Sequence, residues 1–233
     1  MPFLNDNSIR ERNAIVLIGG GGHCGVVIDI IREENLYDEI LISDLPENLG
    51  KYVLDVRIDY TDDQLEELFS VGVKHAFITV GKIGLDDRRK QLYEKLKAIG
   101  FEIPTIISNS AHVSRYASIG EGTLVGKGAT LNAGAIVWRN CIINTGAIIE
   151  HNSIIYDDVH IATGTILCGA VTVGENSFIG AGSVLIQGVN IQKDTLVGAG
   201  TVVVKDIKQS GVYVGNPARR IRWQRMKSKC LGS

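Results

Sequence analysis

The chain is predicted to be an α/β N-terminal domain followed by a parallel β-helix, and three observations carry that prediction. Every sixth residue from Val113 to Val203 is Ile, Leu or Val. Glycine supplies 27 of the 233 residues, well above the roughly 7% usual for globular proteins. Ahead of the repeat, stretches with strand and helix patterning alternate. Hydrophobic residues make up 45% of the chain and aromatic ones 6%. The core must therefore be aliphatic, and a disordered or collagen-like chain is excluded.

In chain order, Asn13 to Ile18 predicts a buried strand, Gly19 to Gly22 a turn, Val26 to Glu34 a helix and Glu39 to Ser43 a second strand. Asp62 to Ser70 predicts a helix capped by Thr61, His75 to Val80 a strand, and Asp86 to Ile99 an amphipathic helix stopped by Gly100. Ile103 to Ile107 predicts a strand leading into the repeat. A βαβαβ order of this length implies a small parallel sheet of half-Rossmann size, spanning residues 1–109.

The aliphatic ladder continues through Ile119, Val125, Leu131 and onward to Val203 without a slip, and two positions before each member stands a small or β-branched residue, from Ala111 to Thr201. Six is three times the strand period, so each hexad supplies a short strand and a bend. Three hexads per turn give a three-sided prism over residues 110–207. Because the register never breaks, no large loop projects from it. Gly120, Gly126, Gly174, Gly180 and Gly198 directly follow ladder positions and are expected to supply φ freedom at the corners. Residues 208–233 predict an end cap and tail, whose basic half (Arg219 to Lys229) reads as cover for exposed strand edges rather than a nucleic-acid or membrane patch.

A net charge of −2 gives no electrostatic case for nucleic acid or an anionic membrane surface. The four cysteines contain no C-x-x-C pair, which argues against a zinc ribbon or disulfide framework and for a reducing compartment. The N-terminal stretch lacks signal-peptide features, and nothing approaches the ~20 apolar residues of a membrane span. A soluble, cytoplasmic protein is expected.

Gly20, Gly22 and Gly25 match G-x-G-x-x-G after a strand and into a helix, with Asp44 ending the next strand at the expected separation. Such a turn lets backbone approach a diphosphate at a helix N-terminus. Alone it suggests NAD, yet the domain is one half of such a fold and no second half follows. His151 and His160 occupy different positions relative to the ladder, and no third histidine lies near enough to complete a zinc site, so no metal is expected. His151, flanked by Glu150 and Asn152, reads as an acid/base residue; His160 reads either as a solvated edge residue or as part of a site.

LIGGGGH, VGKIGLDDRRKQLYEKL, NTGAIIEHNSIIYDDVHIATGTILCGAVTVGENSFIGAGSVLI and VGNPAR resemble, over nearly the whole chain, the hexapeptide-repeat sugar O- and N-acyltransferases. These are typified by sialic acid O-acetyltransferases and by the nucleotide-aminosugar N-acetyltransferases of bacillosamine or perosamine biosynthesis. The pairing of a half-Rossmann domain with EH-x(8)-H in the repeat is the specific part of the likeness. The resemblance implies a left-handed coil and a homotrimer. It also implies acetyl-CoA as co-substrate and transfer to the amino group of a nucleotide-linked amino sugar, of UDP-4-amino-sugar type, in surface glycan biosynthesis. It further implies His151 as general base, acetyl-CoA contacts at His160, Gly169, Ala181 and Ala199, and nucleotide-sugar contacts at Gly21, Gly22, His23, Ser43, Asp44 and Gly81.

Two departures from the family pattern matter. Asn152 stands where the bacillosamine-type enzymes carry a glutamate that makes the base stronger; an amide can orient an imidazole but cannot stabilise imidazolium as a carboxylate does. Either a neighbouring acid such as Asp157 or Asp158 substitutes, or the substrate differs. Ser43 precedes Asp44 where the family has paired acids, which implies altered base or ribose recognition. The expected chemistry is direct transfer, with His151 taking the amine proton and the Gly169 N–H meeting the oxyanion. Cys168 lacks a base spaced to make it a nucleophile. The alternative is O-acetylation of a sugar or sialic acid by the same arrangement; more remote are an NAD-binding oxidoreductase and a non-catalytic β-helix scaffold.

Overall fold

The computed structural model describes residues 13–82 and 84–221. The first twelve residues, most of the basic tail and Cys230 lie outside the described residues. The N-terminal domain contains β1 (Ala14–Ile18), α1 (Gly22–Glu33), β2 (Glu39–Ser43), β3 (Tyr52–Val53), β4 (Val56–Tyr60), α2 (Leu65–Ser70), β5 (His75–Ile78) and α3 (Arg88–Ile99). Its sheet runs β3-β4-β2-β1-β5, with β1 paired parallel to both β2 and β5.

The AIVLI segment of β1 is buried throughout, as a central strand covered on both faces must be. Ile15 and Leu17 pack with Val27, Ile28 and Ile31 of α1; Val16 and Ile18 pack on the other side with Leu65, Leu68, Leu92 and Leu96 of α2 and α3. Each such aliphatic side chain contributes roughly 1.5–3 kcal/mol on burial. Gly100 ends α3 at φ 110, the left-handed stop its position predicted. Two expectations are corrected. The helix after Thr61 begins only at Leu65, because the Thr61 hydroxyl bonds Asp63 and Gln64 instead of capping an earlier turn. The β3–β4 hairpin was not expected at all.

The repeat forms a prism of three parallel sheets. The first face stacks His112–Val113, Thr130–Leu131, Ile148–Ile149, Ile166–Leu167, Val184–Leu185 and Val202–Val203. The second stacks Ser118–Ile119, Ile136–Val137, Ile154–Ile155, Thr172–Val173 and Asn190–Ile191. The third runs from Ile106–Ile107 through Leu124–Val125, Ile142–Ile143, His160–Ile161 and Phe178–Ile179 to Thr195–Val197 and Gly211–Val214. The prism therefore starts inside the span assigned to the first domain. Part of the presumed cap continues the third face, and Arg219–Ile221 closes it as an antiparallel edge.

The ladder fills the interior as one apolar cluster. From Thr123 onward the residues two before it are buried with it, and hydroxyls among them bond carbonyls one coil on: Thr123 to Trp138, Thr165 to Gly180, Ser183 to Gly198, at 2.9 to 3.1 Å. Cys141 takes the same role through Sγ to Tyr156 O at 3.0 Å.

The corners correct a sequence expectation. The left-handed residue is the third after each ladder position, at all fourteen corners from Gly122 to Gly200. Gly120, Gly126, Gly174, Gly180 and Gly198 have no left-handed φ; they are glycine because neighbouring chain comes too close, a Cβ on Gly180 falling 2.5 Å from Ala199 N.

The N-terminal domain covers the third face, where Ile106, Leu124 and Ile142 join the α1 cluster. Lys127 adds ion pairs to Asp29 and Glu33 at 2.5 and 2.7 Å. Among the described residues no helix is long and apolar enough to cross a membrane.

Candidate active site

Each face of the prism ends in an edge, and the expected site residues divide among them. His151 lies on the first edge, exposed, two residues past the ladder Ile149. One coil later Gly169 backs onto it: a Cβ there would lie 2.6 Å from both Cε1 and Nε2 of the imidazole. Gly169 is thus glycine to admit the ring. The amides at this corner position lie outside the ladder of backbone bonds, and that of His151 donates to Glu150 Oε2 at 3.3 Å.

Asn152 has φ 59, and the carboxamide Nδ2 is 3.3 Å from His151 Nδ1. Asparagine tolerates this left-handed corner, which gives its presence a backbone reason. In this orientation Nδ2 donates to Nδ1; a half-turn of the carboxamide presents Oδ1 instead, which holds the proton on Nδ1 and leaves Nε2 as a lone pair. Asp157 and Asp158 sit on the second edge of the prism, bonded to Arg139 and Asn140. They do not support His151 of the same chain.

His160 is not a solvated edge residue. It is 8% exposed, on the third face, with Nδ1 2.9 Å from Lys82 O, Nε2 3.3 Å from Asn144 Nδ2 and its ring edge-on to Phe178. Burial pulls its pKa down to about 4, so it is neutral near pH 7. Ala181 and Ala199 follow strands of this same face on the third edge. There the left-handed residues are Gly128, Gly146, Gly164, Gly182 and Gly200, each with open space where a side chain would be. His151 with Gly169, and His160 with Ala181 and Ala199, are therefore two separate groups within one chain.

The glycine turn sits at the start of α1. Gly21 caps the helix with extended backbone and no side-chain bond, and a Cβ on Gly21 or Gly22 would meet nothing within 4 Å. The first N–H groups of a helix have no intrahelical partner, and the space beside Gly21 and Gly22 is open, an arrangement suited to phosphate oxygens. Asp44 braces this turn: Oδ2 accepts from Gly20 N and Oδ1 from Leu45 N, both at 2.7 Å. Ser43 is fully buried, its hydroxyl donating to Asp62 at 2.6 Å, so its side chain faces the interior.

His23 lies beside Gly81, and its Nε2 is buried without a hydrogen-bond partner. Burial, then the Arg89 and His160 charges, pull its pKa down to about 3. Two residues with no motif to mark them, Arg89 and Lys82, hold this junction. Arg89, 3% exposed, donates to Ile78 O and Val80 O at 2.8 Å and to Asn140 Oδ1 at 2.9 Å; Lys82 is 1% exposed. Their burial has no local sequence signal, since the stretch from Lys82 to Lys90 is rich in charge. The buried thiols of Cys24 and Cys141 are pushed up to about 12 by desolvation, which removes them as nucleophiles. Among the described residues no group of His, Cys, Asp or Glu could hold a metal ion.

The PglD N-terminal domain family matches residues 14–96, and the hexapeptide repeat of succinyl-transferase matches 116–151 and 170–205. A point mutant of perosamine N-acetyltransferase from Caulobacter crescentus, solved with CoA and GDP-perosamine, is similar at 35% identity over 90% of this chain and 97% of that one, TM-score 0.84. The acetyltransferase domain of PglB from Neisseria gonorrhoeae FA1090, also solved with acetyl coenzyme A, is 32% identical over 90% of this chain and 100% of that one, TM-score 0.84. WeeI from Acinetobacter baumannii AYE shares the fold at 22% identity, covering 89% and 99% of the two chains, TM-score 0.79. No curated protein sequence matches significantly.

Proposed function

This chain belongs to the hexapeptide-repeat sugar acyltransferases with a PglD-type N-terminal domain, and on that premise we propose that it transfers the acetyl group of acetyl-CoA to the amino group of a nucleotide-linked 4-amino sugar. The observation that carries the reading is the His151–Gly169 pair, a ring seated on an open edge beside an amide outside the backbone ladder. With the Asn152 oxygen toward Nδ1, Nε2 of His151 takes a proton from the sugar nitrogen as that nitrogen attacks the thioester carbonyl. The Gly169 N–H faces the oxyanion, the C–S bond breaks, and the proton leaves with the CoA sulfur. A positioned base contributes about 10²- to 10⁴-fold. The nucleotide diphosphate lies at Gly21 and Gly22, near His23 and Gly81; Asp44 acts by bracing the turn.

The site takes two copies of the chain. The first face lies between the edge carrying Ala181 and Ala199 and the edge carrying His151 and Gly169. Its outward residues, Ile148, Ile166, Val184 and Val202, form an aliphatic stripe. Packing three copies about that face brings the first edge of one against the third edge of the next, with pantetheine between them. A left-handed winding of the coil and a homotrimer belong to this reading through the family resemblance, as does a place in surface glycan biosynthesis in the cytoplasm.

The experiment is thioester consumption with UDP-, GDP- and dTDP-linked 4-amino sugars and free sialic acid as acceptors, for wild type and His151→Ala. Transfer to an amino-sugar nucleotide that falls at least ~10²-fold in the variant is expected. A wild-type rate in His151→Ala sinks the assignment, and transfer to sialic acid alone turns it into an O-acetyltransferase.

A further inference from the structure

Lys82 lies at the domain junction, and its ammonium donates to Asp158 O and Asn176 O at 3.0 Å each and to Asn176 Oδ1. Three donors thus meet three oxygens, all from left-handed corner residues of the second edge. This is a demanding way to dock two domains. Burial lowers the lysine pKa, and the junction already buries Ile106, Leu124 and Ile142, so an apolar side chain would add adhesion at less desolvation cost.

What the socket adds is placement of the Lys82 backbone. Lys82 O lies 2.9 Å from His160 Nδ1. A carbonyl only accepts, so Nδ1 carries the proton and Nε2 is the lone pair, facing Asn144 Nδ2 at 3.3 Å. One residue earlier, Gly81 faces His23 of the glycine turn: a Cβ on Gly81 would stand 4.0 Å from the Cβ of His23. Two consecutive residues thus lie between the nucleotide-side turn, which Gly81 faces, and the histidine expected at acetyl-CoA, which Lys82 O touches.

We propose that Lys82 is a positioning residue: by anchoring itself on Asp158 and Asn176 it sets the tautomer and ring orientation of His160, and through them the affinity for acetyl-CoA. The last clause rests on the acetyltransferase reading; the first does not.

The test uses full-length protein labelled with ¹⁵N-histidine. Wild-type His160 should give the signature of a neutral ring protonated at Nδ1. Lys82→Met, which keeps the length and removes the ammonium, should lose that signature and raise the KM for acetyl-CoA about 10-fold or more, with the KM for the nucleotide sugar within about 2-fold. Asn176→Gly, which suits the φ of 58 and removes Oδ1, should shift both readouts the same way by a smaller amount, and it decides the matter should Lys82→Met not fold. A folded variant whose His160 stays protonated at Nδ1 overturns the proposal. So does an equal rise of both KM values, which would mark a purely structural role. Wild type that neither binds nor consumes acetyl-CoA overturns the parent reading alone, since the His160 signature is read without substrate.

Discussion

His151 and Gly169 are one coil apart, and the imidazole occupies the space in which a Gly169 side chain would stand, 2.6 Å from the ring at Cε1 and Nε2. Gly169→Ala must therefore displace the ring while leaving the ladder intact. We expect kcat to fall about 10²-fold with a Tm close to wild type, read by steady-state kinetics alongside thermal melting. A Tm loss as large as that of a core mutant would show that the glycine serves the coil instead.

Asn152 combines a left-handed corner with the contact to His151 Nδ1. Replacement by glycine should keep stability within about 0.5 kcal/mol and lower kcat, whereas alanine should lower kcat and also cost about 1 kcal/mol for the backbone. Asn152→Asp supplies a carboxylate at Nδ1 and should move the alkaline-side plateau of the pH–rate profile upward. Urea titrations and the pH dependence of kcat separate these effects.

Two buried histidines make the fold sensitive to acid. His160 and His23 have folded pKa values of about 4 and about 3, against about 6.5 when unfolded. Between those values the unfolded chain binds more protons, so stability is full above about pH 6.5 and is lost as pH falls through the window. From pH 7 to pH 5 each histidine should cost roughly 2 kcal/mol. The urea midpoint should fall over that interval, and His23→Gln should remove about half of the fall.

The corner glycines serve two purposes that a paired mutation separates. Gly180→Ala puts a Cβ 2.5 Å from Ala199 N and should cost about 1–3 kcal/mol, although its φ is ordinary. Gly182→Asn, at φ 66 with open space around it, should cost about 1 kcal/mol or less. Equal losses in the two variants would refute the distinction.

The prism was legible because its period is simple: one ladder residue in six is buried at each turn, and sixteen repetitions leave no other register. β1, β2 and the end of α3 at Gly100 were legible for similar reasons, a continuous apolar run or a single stop signal. The β3–β4 hairpin was missed although Val56, Ile58 and Tyr60 alternate as a strand should, because Arg57 and Asp59 between them read as loop. The corner glycines were misassigned because sequence shows where glycine occurs and not which neighbour it must admit. Of the candidate site, the places of His151 and His160 relative to the ladder could be read, but burial of His160 could not: it depends on Lys82, 78 residues away, whose backbone closes over it.

The left-handed corner residues differ from edge to edge. The third edge has glycine at every rung; the second has Gly122, then Asn140, Asp158, Asn176 and Asp194, which meet Arg89, Lys82 and one another. All tolerate the same bend, so the coil is indifferent to which is used. The prism thus has three independently writable tracks: a bare one, one that carries His151 and Gly169, and one that spells the address of the attached domain. Rewriting the second track to glycine should leave the coil wound and erase only that address, a route to fitting the same prism with a different N-terminal domain.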